Sequence, residues 1–316
     1  MVGGNVKFTD AATGDSITKT MYGDIVVKKP NDVVIHYELN GAIHLSEPIE
    51  NSSSTTAYST FYPNGTKTGE FADPPSFKTY EELLSVKPFK DNDEAAERFL
   101  TRDQNKIEYL KTKVKVFTSD YALYWWDYLS GYDVMLAHIG WNITLTHQIA
   151  QVRGPAKLQN KDWGIVITWK YNTPPYLDTG PEIFNQLQTA YESGAKYLVF
   201  FNYYEDDGNP DGTMKDEHFQ ALENFWNNVI KNPQITQGST KADTVLILPK
   251  NYGCGLRWKG DKIWGIFKAD EQANQLWDLT QASLQDHALK IDIVYEDTAY
   301  PSTEEYPHTY HWTQNK

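Results

Sequence analysis

Trp163-Gly-Ile-Val-Ile-Thr168, then Thr179 to Gly194, then Lys196-Tyr-Leu-Val-Phe-Phe201 is the stretch on which the fold turns. The two flanking runs are nearly continuous in apolar character, as strands of a parallel sheet covered on both faces are. Between them Thr179 and Glu182 have the spacing of a capping box. Phe184, Leu187 and Tyr191 form one helical stripe, and Gly194 sits where such a helix stops. This is a complete βαβ unit. Two earlier runs, Val114-Lys-Val-Phe117 and Tyr132-Asp-Val-Met-Leu-Ala137, have the same character. Consecutive βα units are therefore expected from about Lys113 to Trp226, the last helix following Thr213 with Phe219, Leu222, Phe225, Trp226 and Val229 inward.

Each run ends in chemically useful residues: Thr118-Ser119-Asp120, His138-Ile-Gly-Trp141, Trp169-Lys-Tyr171 and Asn202-Tyr-Tyr-Glu205. The carboxyl edge of parallel strands is where α/β proteins place ligands. Flat rings beside carboxylates suit sugars, whose C–H faces stack on aromatics while their hydroxyls seek acceptors.

Beyond Asn232-Pro-Gln-Ile-Thr-Gln-Gly238 a further unit is expected: strand Thr244-Val-Leu-Ile-Leu248, a helix near Asp270 to Asp286 and strand Lys290-Ile-Asp-Ile-Val-Tyr295. Upstream the pattern changes. Val33-Val-Ile-His-Tyr-Glu-Leu39, Asn40-Gly41 and Ala42-Ile-His-Leu-Ser46 predict a two-residue type I′ hairpin, setting Tyr37 opposite His44 and His36 opposite Leu45. Residues 50–90, rich in Ser, Thr, Pro and Gly, read as a long loop. Helices follow at Thr79, with Glu82 completing a capping box, and at Asp93, with Phe99, Leu100, Ile107 and Leu110 on one stripe. The expected division is an antiparallel β segment and loop over 1–78, a barrel-like domain over 79–235 and a small α/β domain over 236–316.

The 316 residues carry a formal net charge of −13, which repels a phosphate backbone, and no basic cluster interrupts it, so nucleic acid is excluded as a partner. Cys254 is the single cysteine, which rules out an intrachain disulfide and a paired-cysteine zinc site. No apolar run approaches the roughly 18 residues of a membrane span, and the first residues lack a signal-peptide core. Sequons at Asn51, Asn64 and Asn142 are about what chance gives in so Asn-, Ser- and Thr-rich a chain.

Tyr191-Glu-Ser-Gly-Ala-Lys-Tyr-Leu-Val-Phe-Phe-Asn202, Asp216-Glu-His-Phe-Gln-Ala-Leu-Glu-Asn-Phe-Trp226 and Leu248-Pro-Lys-Asn-Tyr-Gly253 with Asp261-Lys-Ile-Trp-Gly265 resemble barrel glycosidases of the family 42 β-galactosidase type and their archaeal relatives. The likeness covers about residues 110–300. It implies a TIM-barrel-like α/β fold, complete or partial, with a Rossmann-like carboxyl-terminal domain. It further implies a carbohydrate partner, two catalytic carboxylates, an extracellular or cell-surface setting and homo-oligomers. Two departures stand out. Four strands are half of the eight a closed barrel needs, and His138 ends a strand where the resemblance leads one to expect the Glu of a working glycosidase, so a binding protein that has lost its catalytic pair is the alternative.

Hydrolysis of a glycosidic bond needs two carboxyl groups, one kept protonated. Asp120, Glu205 and Asp178 are the candidates. Against them stand a helix N-cap for Asp120 and a solvated loop position for Glu205. Glu182 reads as a capping residue. Trp125, Trp126, His138, Trp141, Trp169, Tyr171, Asn202 and Tyr203 are candidate sugar contacts, the competing reading for the tryptophans being plain core. Asp207-Gly-Asn-Pro-Asp-Gly212 matches the opening D-x-N-x-D-G of a calcium loop, with Asp207, Asn209 and Asp211 as ligands, but His218 stands where a bidentate Glu closes such a loop. Calcium is thus the one candidate cofactor. The pairs His138/His147 and His36/His44 lack metalloenzyme spacing, and no G-x-S-x-G elbow is present.

Overall fold

A computed structural model describes residues 89–316, apart from 103, 142, 172, 203–211, 302–304 and 313–316, together with five strand segments before residue 89. The chain is a mixed α/β protein with parallel sheets. It divides into two compact units, Met1–Lys87 with Thr101–Thr118, and Pro88–Leu100 with Ser119–Lys316.

In the first unit, β1 (Asn5–Thr9) pairs antiparallel with β2 (Ser16–Thr20). A second sheet holds β3 (Ile25–Lys28), β4 (Val34–Tyr37) and β5 (Ile43–Ser46), also antiparallel. Its register corrects the expected hairpin. Tyr37 pairs with Ile43 and His36 with His44, each one residue away from the expected partner, and the turn at Asn40-Gly41 lies outside the described residues. The loop over 50–88 and the capping box at Thr79 lie outside the described residues. The expected helix at Asp93 is present as α1 (Asn92–Arg102), most of which belongs to the second unit, and α2 (Gln104–Lys111) of the first, with Ile107 and Leu110 buried.

The second unit carries the functional reading. The four-stranded sheet has the order β6-β7-β8-β9, with β6 at Phe117–Asp120, of which only Ser119 and Asp120 fall in this unit, β7 at Val134–Ile139, β8 at Asp162–Ile167 and β9 at Tyr197–Phe200. β6 begins where the expected strand Val114–Phe117 ends, and β7 runs two residues later than expected, to Ile139. Val114 is exposed, so its β-branched side chain misled the reading. β7, β8 and β9 are parallel, with Ala137 opposite Ile165 and Ile165 opposite Leu198. The connections carry α3 (Tyr124–Leu129), α4 (Leu145–Leu158) and α5 (Gly180–Glu192), and α6 (Asp216–Phe225) runs on into a π-helical turn, Trp226–Ile230.

Alternation on the pleat decides what packs where. Met135, Ala137, Ile139, Trp163, Ile165 and Ile167 share one face and form a core with Ile149 and Val152 of α4 and Ile183, Leu187 and Ala190 of α5. A smaller sheet, order β11-β10-β12, holds β10 (Thr244–Leu248), β11 (Ile291–Tyr295) and β12 (His308–His311), all parallel, with α7 (Glu271–His287) between the first two. β12 gave no apolar run to read, because His308-Thr-Tyr-His311 is a largely exposed edge.

Helix α4 belongs to both layers. Residues 147–156 are all buried. Ile149 and Val152 face the first core, while Ala150 joins the second with Val245, Leu246, Ile293 and Val294. A helix buried all round needs small residues where a sheet approaches. Gly154 meets this need, since a Cβ there would lie 2.9 Å from Val294 Cγ1 and 3.0 Å from the Ile293 carbonyl.

Candidate functional site

The carboxyl ends of β7 and β8 and the amino-terminal turns of α4 and α5 enclose a cavity of about 340 Å³. One wall is apolar, made by Ile139, Gly140, Ile143 and Leu145. The other is polar: Lys170, Asp178, Glu182, Asn185 and Gln186, with Thr144 at the mouth of α4.

Asp178 precedes α5 and is buried. The Lys170 ammonium lies 2.7 Å from its Oδ1, and Gln186 Nε2 donates to its Oδ2 over 2.7 Å. Glu182 does what its spacing predicts. The Thr179 backbone N–H and hydroxyl donate to its Oε2 at 3.1 and 2.9 Å, and the capping box closes with the Glu182 N–H donating back to the Thr179 hydroxyl. Those bonds from Thr179, and then the Lys170 charge, hold its carboxyl below the usual range. Lys170 is raised in turn by its hydrogen bond to Asp178. Its ammonium also lies 3.8 Å from Glu182 Oε1.

Beside the apolar wall the chain makes a strained turn. Gly140 has φ 152° and Trp141 φ 53°, a left-handed conformation rare for a bulky side chain. A Cβ on Gly140 would meet the Trp169 carbonyl at 2.6 Å. Trp141 is 37% exposed and donates from Nε1 to the Tyr121 hydroxyl over 3.1 Å. Tyr121 packs its ring on His138 at 4.0 Å between centroids. Both His138 ring nitrogens are buried without a partner, and burial pushes the imidazole down to about 4. His138 is thus neutral at ordinary pH.

The other residues picked from the sequence scatter. Trp125 and Trp126 are core: they pack on Tyr295, with Tyr300 edge-on to Trp125 and Trp264 against Trp126, and offer no face to a ligand. Asp120 ends β6 as expected but does not line the cavity. Its Oδ1 accepts from the N–H groups of Tyr121 and Ala122 at 2.6 and 3.4 Å, and the position before α3 belongs to Leu123, so the N-cap reading fails too. Asn202 is exposed, but its Oδ1 accepts from the Thr213 N–H and hydroxyl and the Met214 N–H, fixing the approach to α6. Trp169 lies tilted on Tyr176 and edge-on to Phe201, and Tyr171 is exposed beside Lys170. Tyr203, Glu205, Asp207, Asn209 and Asp211 lie outside the described residues. His218 is buried, its Nε2 near the Asp178 carbonyl and its Nδ1 accepting from the Lys215 N–H. Among the described residues no group of three His, Cys, Asp or Glu side chains is placed to hold a metal.

Of the candidates the structure therefore brings Asp178 to the cavity, while Trp141 follows the lining residue Gly140 in the chain and directs its indole to Tyr121. Lys170, Asn185 and Gln186 went unnamed in the sequence. The available signal was helical spacing, since Asn185 and Gln186 follow Glu182 by three and four residues and so share its face.

Among the described residues no helix is long and apolar enough to cross a membrane. No family model, curated protein or solved structure matches the chain.

Proposed function

We propose that this chain binds a carbohydrate at the carboxyl edge of its four-stranded sheet. The observation that carries the reading is the cavity walled by Lys170, Asp178 and Gln186, with Trp141, an exposed ring in a strained left-handed turn, next in the chain to its lining residue Gly140. Backbone strain persists where something over-determines it, and it concentrates at functional sites. An indole offers a sugar its flat apolar face, and the cavity offers hydroxyls both charged and amide partners.

Binding fits the electrostatics better than hydrolysis. A glycosidase keeps one carboxyl protonated as the general acid. Asp178 sits against the Lys170 ammonium, and Glu182 is held ionised by Thr179 and Lys170. The hydrolytic reading rests on the presence of two carboxylates in one cavity, and a product assay separates the two.

The finer architecture belongs to the same proposal. Four strands in sequential order are what half of a (β/α)8 barrel contains, and the parallel β11-β10-β12 sheet with α7 is built like a piece of a Rossmann-like domain.

Calorimetric titration with a panel of oligosaccharides, alongside an assay for newly formed reducing ends, tests the function. Saturable binding that Trp141→Ala and Asp178→Asn both weaken, with no reducing ends released, supports it. Release that Asp178→Asn abolishes would replace binding by hydrolysis, and a panel without a binder would reject the reading.

A further inference from the structure

The polar wall of the cavity has more acceptors than donors. Gln186 uses its amide N–H on Asp178 over 2.7 Å, which leaves its carbonyl Oε1 buried and without a hydrogen-bond partner. Glu182 spends Oε2 on Thr179, while Oε1 lies 3.8 Å from the Lys170 ammonium, too far for a hydrogen bond. Lys170 is itself committed to Asp178 at 2.7 Å. Residues 182 and 186 are one helical turn apart, so the two under-used oxygens belong to the same face of α5. Formal charge points the same way, one ammonium against two carboxylates. A buried carbonyl oxygen without a donor costs free energy that a ligand donor recovers.

A ligand group that complements this wall is rich in donors, lacks acceptors and carries positive charge. An ammonium has three N–H donors and no acceptor. Of the apolar lining residues, Ile139 and Ile143 suit the C–H face of a ring. We infer that the cavity selects an amine-bearing sugar, such as an unacetylated hexosamine unit, with the ammonium directed to Glu182 Oε1 and Gln186 Oε1. This inference rests on the carbohydrate reading and narrows it. Sugar acids are disfavoured, because their carboxylate would meet Asp178 and Glu182.

Calorimetry on the full chain at pH 6 and low salt, with β-1,4 trimers of glucosamine, of glucose and of glucuronic acid, tests it. The glucosamine trimer should bind about tenfold more tightly than the glucose trimer, the scale of one charge-assisted hydrogen bond. The glucuronic acid trimer should be the weakest of the three. Glu182→Gln retains a side chain suited to the capping box and should bring the glucosamine-to-glucose ratio near one, as should Gln186→Leu. Equal binding of the glucosamine and glucose trimers overturns the inference and leaves the carbohydrate reading standing. A preference unchanged in both variants, or glucuronic acid binding as tightly as glucosamine, also overturns it. Failure of all three trimers to bind overturns both.

Discussion

Arg153 on α4 donates from Nε to Asp292 Oδ1 on β11 over 2.8 Å, with both side chains buried. Further bonds surround the pair. Tyr306 donates its hydroxyl to Asp292 Oδ2 over 2.7 Å, and the Arg153 guanidinium reaches the carbonyls of Thr240, Leu289 and Ile291. The pair fixes the helix shared by both sheets onto the smaller one. Removing one member strands the other charge, which costs about 3–5 kcal/mol in such settings, whereas an apolar pair of similar volume is often neutral. Asp292→Ala should therefore lower the urea midpoint by that energy divided by an unchanged m-value, and the double variant Arg153→Met with Asp292→Leu should recover most of the loss. A mild Asp292→Ala variant would show that the pair does not hold α4.

The parallel strands were legible because their residues are apolar on both faces, and β10 lies where Thr244-Val-Leu-Ile-Leu248 puts it. Thr179 and Glu182 marked the start of α5 because a capping box is a local device. What failed depended on distance. Trp125 and Trp126 follow a strand end just as Trp141 does, yet α3 turns them into the core beside Tyr295, a residue 169 positions beyond Trp126. Nothing near either tryptophan encodes that contact. Asp178 was legible as a strand-end carboxylate, but its partners Lys170 and Gln186 come together only when β8 and α5 pack.

His147 on α4 is buried, its Nε2 without a partner and its Nδ1 3.4 Å from Gln281 Nε2. Burial pushes its pKa down to about 4, against about 6.5 in an unfolded chain. Between those values the unfolded chain binds the proton that the folded chain refuses, so stability falls as pH drops through this window. The shift corresponds to about 3 kcal/mol over the window. His147→Leu should shrink the stability loss between pH 7 and pH 4.5 by roughly 2–3 kcal/mol, measured by urea unfolding at each pH. An acid limb as steep as the parent's would mean that the ring protonates in the folded state.

Gly140→Ala should act on fold and site together. The added Cβ would sit 2.6 Å from the Trp169 carbonyl and 2.8 Å from Thr168 Oγ1, at φ 152°. The Trp169 carbonyl is backbone and does not yield cheaply, because β7 and β8 are paired in register up to Ile139 and Ile167 and the Thr168 N–H donates to the Ile139 carbonyl. Overpacking and the backbone conformation together should cost about 2–4 kcal/mol. Thermal unfolding reads the cost, and tryptophan fluorescence reads the displaced turn. A melting temperature within a degree of the parent's would show that the turn relaxes freely.

Trp141 separates stability from function. Its φ of 53° is one that glycine adopts without penalty. If the strained turn exists to present the indole, Trp141→Gly should leave the fold as stable as before or raise its stability by up to about 1 kcal/mol, while carbohydrate affinity falls about tenfold. Trp141→Phe keeps a ring but removes the Nε1–H that Tyr121 accepts, and its affinity should lie between those of the parent and the glycine variant. Thermal unfolding and calorimetry on the same samples give both quantities. Were Trp141→Gly to destabilise the chain by 2 kcal/mol or more on the scale expected for a buried aromatic, the indole would be packing, and the strain would have no bearing on ligand.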